Sequence, residues 1–179
     1  MQPSSEPRAA VIFDRDGVLN VDHGYVHRPE DLDWISGSKA AVARLNQLGV
    51  LVLVVTNQSG VARGYYDEAA VETFHAAMQA QLASVGAHID GFYACPFHPE
   101  AVNAAYRHPD HPDRKPNPGM ILRAIREWRI DPTRAILIGN KPSDVEAAAR
   151  AGIAGAIYAG GDLERFAVEK LISIGVAPS

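Results

Sequence analysis

The stretch AAVIFDRDGVLN, residues 9–20, carries five apolar residues straight into Asp14, Arg15, Asp16 and Gly17. A short run that is apolar at every position, rather than at alternate ones, reads as a strand buried on both faces. At its end, residues i and i+2 of an extended chain point the same way, roughly 6–7 Å apart. Asp14 and Asp16 therefore project together. Two neighbouring carboxylates repel unless a cation lies between them or one keeps its proton. Mg²⁺ takes oxygen ligands and keeps waters and phosphate oxygens in its shell; a retained proton makes a general acid. Gly17 lets the chain turn sharply after the pair. Alone, D-x-D-G fits two solvated aspartates equally well, so the reading depends on what lies further along the chain.

Outward from this segment, strand and helix signals alternate. Ala41, Val42, Leu45 and Leu48 lie at helical spacing within 38–48, and Gly49 supplies the stop. A second apolar run, 50–55, ends at Thr56 and Asn57. Asp67 can cap a helix reaching about residue 85, before Gly86. A weaker strand signal covers 90–94, a Pro/His-rich loop 95–118, and a helix signal 118–129. A third apolar run, 135–138, meets the polar segment 139–144; helix 143–151 and strand 154–158 follow. The pattern predicts an α/β fold, a three-layer, doubly wound, mostly parallel Rossmann-like sheet with no large cap domain. Ligand clefts in such sheets lie beyond the C-terminal strand ends. Those ends carry Asp14/Asp16, Thr56/Asn57 and Asn140/Asp144. Residues 9–179 are expected to form one domain behind a polar tail, 1–8.

Composition narrows the function classes. The 179 residues are 47% hydrophobic and 21% charged, which is globular rather than disordered. A net charge of −4 without a basic stripe excludes an ordinary nucleic-acid binder. The longest apolar run, 50–55, is too short to span a bilayer, and the tail lacks a signal-peptide core. Cys95 is the only cysteine, so no intramolecular disulfide can form. The expectation is a cytoplasmic, monomeric protein without nucleic-acid or membrane partners.

FDRDGVLNVDHGYV at 13–26, VTNQSGVARG at 55–64, CPFHPE at 95–100, RKPNPGM at 114–120 and IGNKPSD at 138–144 occur in this order. With them, the chain resembles the haloacid dehalogenase superfamily of phosphohydrolases. Within it, the chain looks like the branch that holds D-glycero-D-manno-heptose 1,7-bisphosphate and histidinol-phosphate phosphatases. The resemblance implies a phosphomonoester hydrolase in which Asp14 attacks phosphorus and becomes an aspartyl phosphate. Asp16 then serves as acid and base, while Thr56 and Lys115 hold the phosphoryl oxygens. It implies Mg²⁺ on Asp14, Asp16 and the strand-end position of Asn140, with Asp144 as a further ligand, directly or through water. Substrate contacts carry over onto Asp22, His23, Gly24, Tyr25, Asn57, Gln58, Ser59, Arg114 and Lys141. The implied substrate is a small phosphorylated sugar losing its 7-phosphate, for bacterial surface polysaccharide.

Two positions depart from that pattern. Relatives carry Asp where this chain has Asn140, and an amide brings no charge to a hard cation, which predicts a weaker Mg²⁺ site. Many relatives also hold zinc with Cys-x-His and Cys-x-Cys before Arg-Lys-Pro. Here those positions read Cys95-x-Phe97 and His111-x-Asp113. Cys95, His98, His111 and Asp113 are the candidate remnant, and the expectation is a loop without zinc, restrained by its prolines.

Three other readings compete. Histidinol phosphate uses the same aspartate pair with another leaving group. A weakly active or non-catalytic phosphosugar binder is suggested by Asn140, but has no need of a nucleophile. A haloalkanoate dehalogenase does not need the metal site that Asp16 implies.

Overall fold

The computed structural model describes residues 6–176. Most of the expected tail lies outside them, and Arg8, assigned to it by sequence, is the first residue of β1 (Arg8–Phe13). Four further strands follow: β2 (Leu51–Asn57), β3 (Gly91–Cys95), β4 (Ile130–Gly139) and β5 (Ala154–Ile157). All pair in parallel, in the order β3-β2-β1-β4-β5. The strand order reverses between β1 and β4, which opens a crevice at their C-terminal ends.

The apolar residues 9–13 of β1 serve two cores. Ala9, Val11 and Phe13 face one side with Val52 and Val54; Ala10 and Ile12 face the other with Leu51, Leu53 and Val55. Successive strand residues point to opposite faces, so both faces must be covered. The first is covered by α1 (Ser38–Gln47), α3 (Glu68–Ala83) and α6 (Leu163–Ser173), through Leu45, Phe74 and Leu171 among others. The second is covered by α4 (Gly119–Trp128) and α5 (Pro142–Ala151), through Met120, Ile121 and Ala147. The predicted three-layer fold is present.

Local chemistry sets the element ends. Asp67 accepts a hydrogen bond from the Ala70 N–H at 2.8 Å and caps α3, as its sequence position predicts. Strand β4 starts five residues earlier than its apolar run because Ile130 pairs beside Arg8 before a register shift. The four-residue helix α2 (Ser59–Ala62) and the terminal α6 were not legible as periodic apolar segments. Among the described residues, no helix is long and apolar enough to cross a membrane.

Candidate active site

Lys115 is the centre of the crevice. Its side chain is 3% exposed, and its three protons go to Asp14 Oδ1 at 2.9 Å, the Val55 carbonyl at 3.0 Å and Asp144 Oδ1 at 2.6 Å. Burial works against its charge, but Asp14 and Asp144 outweigh burial and hold the ammonium above the ordinary lysine range. Burial pushes the Asp14 carboxyl upward, because the one lysine that opposes this is shared with Asp144. Asn57 fixes the lysine from behind: its Oδ1 accepts from the Lys115 N–H and its Nδ2 donates to the Lys115 carbonyl, each at 3.0 Å.

Asp144 also organises the end of β4. Its Oδ2 accepts from the backbone N–H groups of Asn140 at 3.1 Å and Lys141 at 3.0 Å, in the first turn of α5 where a carboxylate is favoured. Gly139 makes room for it, since a Cβ there would lie 2.3 Å from the Asp144 carboxylate. Both oxygens of Asp144 are thus engaged within the protein, and it anchors Lys115. Asn140 differs. Its Oδ1 is buried with no hydrogen-bond partner, while its Nδ2 lies against Gly17. Gly17 is required twice, by its φ of +83° and by that approach, where a Cβ would come within 2.2 Å of the amide.

Asp16 is held from the other side. Arg15, wholly buried, donates from Nε and Nη2 to Oδ1 at 3.1 and 3.0 Å, and from Nη2 to Oδ2 at 3.0 Å. Asn20 Nδ2 adds a bond to Oδ1 and Gln58 Nε2 one to Oδ2, both at 3.0 Å. The guanidinium lies 4.5 Å from the centroid of the Phe74 ring, and Nη2 also donates to the Val26 carbonyl at 2.7 Å. Its Nη1 faces His75 Nε2 at 3.3 Å. Arginine only donates, so that nitrogen must accept and His75 is neutral. Burial, with the Arg15 charge, pushes His75 down to about 3.

The cleft between these groups has a volume of about 300 Å³. Asp14, Asp16, Thr56 and Lys115 line it, and of the expected substrate contacts so do Asp22, Gly24, Tyr25, Asn57, Gln58, Ser59 and Lys141. Two do not. His23 pairs with Asp33 at 3.6 Å and lines a neighbouring hollow, and Arg114 donates to the Phe97 carbonyl at 3.2 Å. Sequence reading missed Arg15, Asn20, Tyr66, His75 and Ser143. For Arg15 a signal existed: a residue between two outward-facing aspartates must point into the protein, where a charge needs partners.

Of the candidate zinc positions, Cys95 and His111 lie together, while His98 and Asp113 are engaged elsewhere. Cys95 Sγ lies 4.0 Å from His111 Nδ1, His98 Nδ1 accepts from the Glu100 N–H at 3.0 Å, and Asp113 pairs with Arg123 at 3.0 Å. Phe97 stacks on His111 with ring centroids 3.9 Å apart. Among the described residues, no three His, Cys, Asp or Glu side chains form a metal-holding group.

This is the fold expected of a HAD-like hydrolase, and residues 113–176 match the HAD-hydrolase-like family. Over 175 residues the chain is 44% identical to the D-glycero-beta-D-manno-heptose-1,7-bisphosphate 7-phosphatase of Rhodopseudomonas palustris, covering 97% of this chain and 96% of that protein. The enzyme of the same name from Escherichia coli K12 is 41% identical over 144 residues, covering 80% and 75%. A crystal structure of D,D-heptose 1,7-bisphosphate phosphatase from B. bronchiseptica, complexed with magnesium and phosphate, superposes with a TM-score of 0.74 at 34% identity, covering 90% of this chain and 86% of that one. The chain belongs to the family of D-glycero-beta-D-manno-heptose-1,7-bisphosphate 7-phosphatases.

The His75 contact makes stability depend on pH. Its folded-state value, about 3, lies below the ordinary 6.5, so between these the unfolded chain binds a proton that the folded chain does not. The contribution of His75 is fully present above pH 6.5 and declines as pH falls, by up to about 1.4 kcal/mol per pH unit. His75→Gln keeps an acceptor for Arg15 but cannot titrate. Urea unfolding from pH 7.5 to 4.5 is therefore expected to show a smaller stability loss for the variant than for the parent.

Proposed function

We propose that this phosphatase removes the 7-phosphate of D-glycero-beta-D-manno-heptose 1,7-bisphosphate, with Mg²⁺, as a cytoplasmic monomer supplying heptose for surface polysaccharide. The observation that carries the chemistry is the Lys115 ammonium fixed between Asp14 and Asp144 beside Thr56 and Asp16. The names of the relatives support the substrate. Asp14 attacks phosphorus, the bond from phosphorus to the sugar oxygen breaks, and Asp16 gives that oxygen its proton. Asp16 then takes a proton from a water that attacks the acyl phosphate, which releases inorganic phosphate and frees Asp14. Lys115 and the Thr56 hydroxyl hold the equatorial oxygens where charge gathers, and this positioning supplies most of the rate. Asp22, Gly24, Tyr25, Ser59 and Lys141 receive the sugar.

The residues present fit Mg²⁺. Two carboxylates share one lysine, and the unpartnered Asn140 Oδ1 beside Gly17 is an oxygen donor awaiting a partner. Asp14 and Asn140 through their side chains, and Asp16 through its main-chain carbonyl, would hold the ion, with waters and phosphate completing the shell. Bound there, it would supply positive charge to the phosphoryl oxygens.

Phosphate release is expected from the heptose bisphosphate in preference to histidinol phosphate, leaving the sugar 1-phosphate. Asp14→Asn is expected to lower kcat about a thousandfold or more. A higher kcat/KM for histidinol phosphate overturns the substrate, and an active Asp14→Asn overturns the mechanism.

Asn140→Asp restores a charged ligand. It is expected to tighten Mg²⁺ about tenfold, or ~1.4 kcal/mol, by calorimetric titration. Equal affinities for the two proteins refute a weakened site.

The 95–118 loop is read as zinc-free, held by the Phe97–His111 stack and the Asp113–Arg123 pair. Elemental analysis of protein purified without added metal is expected to find far less than stoichiometric zinc.

A further inference from the structure

Gln58 belongs by resemblance to the substrate contacts, yet every polar atom of its side chain is used inside the protein. In the carboxylate form that later takes the proton from water, Asp16 only accepts, so the atom 3.0 Å from its Oδ2 is then the Gln58 NH₂ group. The second proton of that group goes to Thr56 Oγ1 at 2.8 Å. The remaining atom, Oε1, accepts from the Tyr66 hydroxyl at 2.8 Å. With Asp16 ionised the amide has this orientation, and Gln58 is 2% exposed.

Tyr66 is itself fixed. Its ring occupies the space a side chain at position 60 would need, since a Cβ on Gly60 would lie 2.2 Å from it. On its other face His27 stacks with centroids 4.4 Å apart and planes 16° from parallel. Burial pushes its phenol up to about 12, so the group keeps its proton and remains a donor to Gln58 at any working pH.

The two oxygens of Asp16 are not equivalent. Oδ1 accepts from Arg15 Nε, Arg15 Nη2 and Asn20 Nδ2, which fills it. Oδ2 accepts from two donors rather than three, Arg15 Nη2 and the cleft-lining Gln58, and is the less crowded oxygen. The geometry points to Gln58 and Tyr66 as positioning residues: Tyr66 aims the Gln58 amide, and Gln58 holds Asp16 Oδ2 where it delivers the proton to the departing sugar oxygen. This rests on the assignment of Asp16 as acid and base.

A sugar alkoxide needs that proton in order to leave, whereas p-nitrophenolate leaves without one. The experiment compares kcat/KM, which reports phosphoryl transfer to Asp14, for heptose 1,7-bisphosphate and p-nitrophenyl phosphate at saturating Mg²⁺. Gln58→Met is expected to lower the sugar value roughly tenfold to a hundredfold, and the aryl value by less than about threefold. Tyr66→Phe, which removes one oxygen and keeps the ring, is expected to lower the sugar value by about threefold to tenfold with KM little changed. Because Tyr66 acts through Gln58, Tyr66→Phe is expected to add nothing in the Gln58→Met background. Equal losses on both substrates, additive losses in the double variant, or no loss overturn the inference. If Gln58→Met does not fold by circular dichroism, Tyr66→Phe on the two substrates decides alone. Asp16→Asn separates the two levels: if it does not discriminate between the substrates, the acid assignment falls, and if it does while Gln58 and Tyr66 do not, only the positioning falls.

Discussion

A lysine can be taken out of water only if its charge and all three of its protons find partners, and Lys115 finds them at the ends of three elements. Asp14 follows β1, Val55 belongs to β2, and Asp144 lies in the first turn of α5 after β4. The ammonium therefore ties together the strands that flank the crevice. Loss of one partner from such a buried set costs about 3–5 kcal/mol, because the other charge stays buried and uncompensated. The constraint spreads outward: Asn57 must clamp the Lys115 backbone, Gly139 must have no side chain, and Asp144 must begin a helix.

The second acid is held by a separate cation. Arg15, packed on Phe74 and braced by His75 and the Val26 carbonyl, anchors Asp16 from the interior, while Lys115 anchors Asp14 from the sheet edge. Two carboxylates only two residues apart thus have different environments. Asp14 is buried, and its lysine is shared with a second acid; Asp16 carries a full set of donors and 18% exposure.

Asn140 stands where these two systems meet. Its amide packs against Gly17, and its side-chain oxygen is neutral and has no hydrogen-bond partner among the described residues. An unsatisfied buried polar atom is costly in a folded chain.

The fold class and the first row of the site were legible in the chain because they follow from local rules. Fully apolar five-residue runs demand a sheet covered on both faces, period-two geometry brings Asp14 and Asp16 together, and strands of a parallel sheet deliver their C-terminal polar residues to one edge. What only the tertiary structure decided is which polar groups spend their hydrogen bonds on each other. Asn57 and Gln58 are indistinguishable from substrate contacts in sequence, yet both are consumed internally, one by Lys115 and the other by Asp16, Thr56 and Tyr66. Arg15 and His75, 60 residues apart, acquire their meaning only when α3 packs against the end of β1. Burial, and therefore the identity of every partner, is a property of packing between distant segments, and no local spacing encodes it.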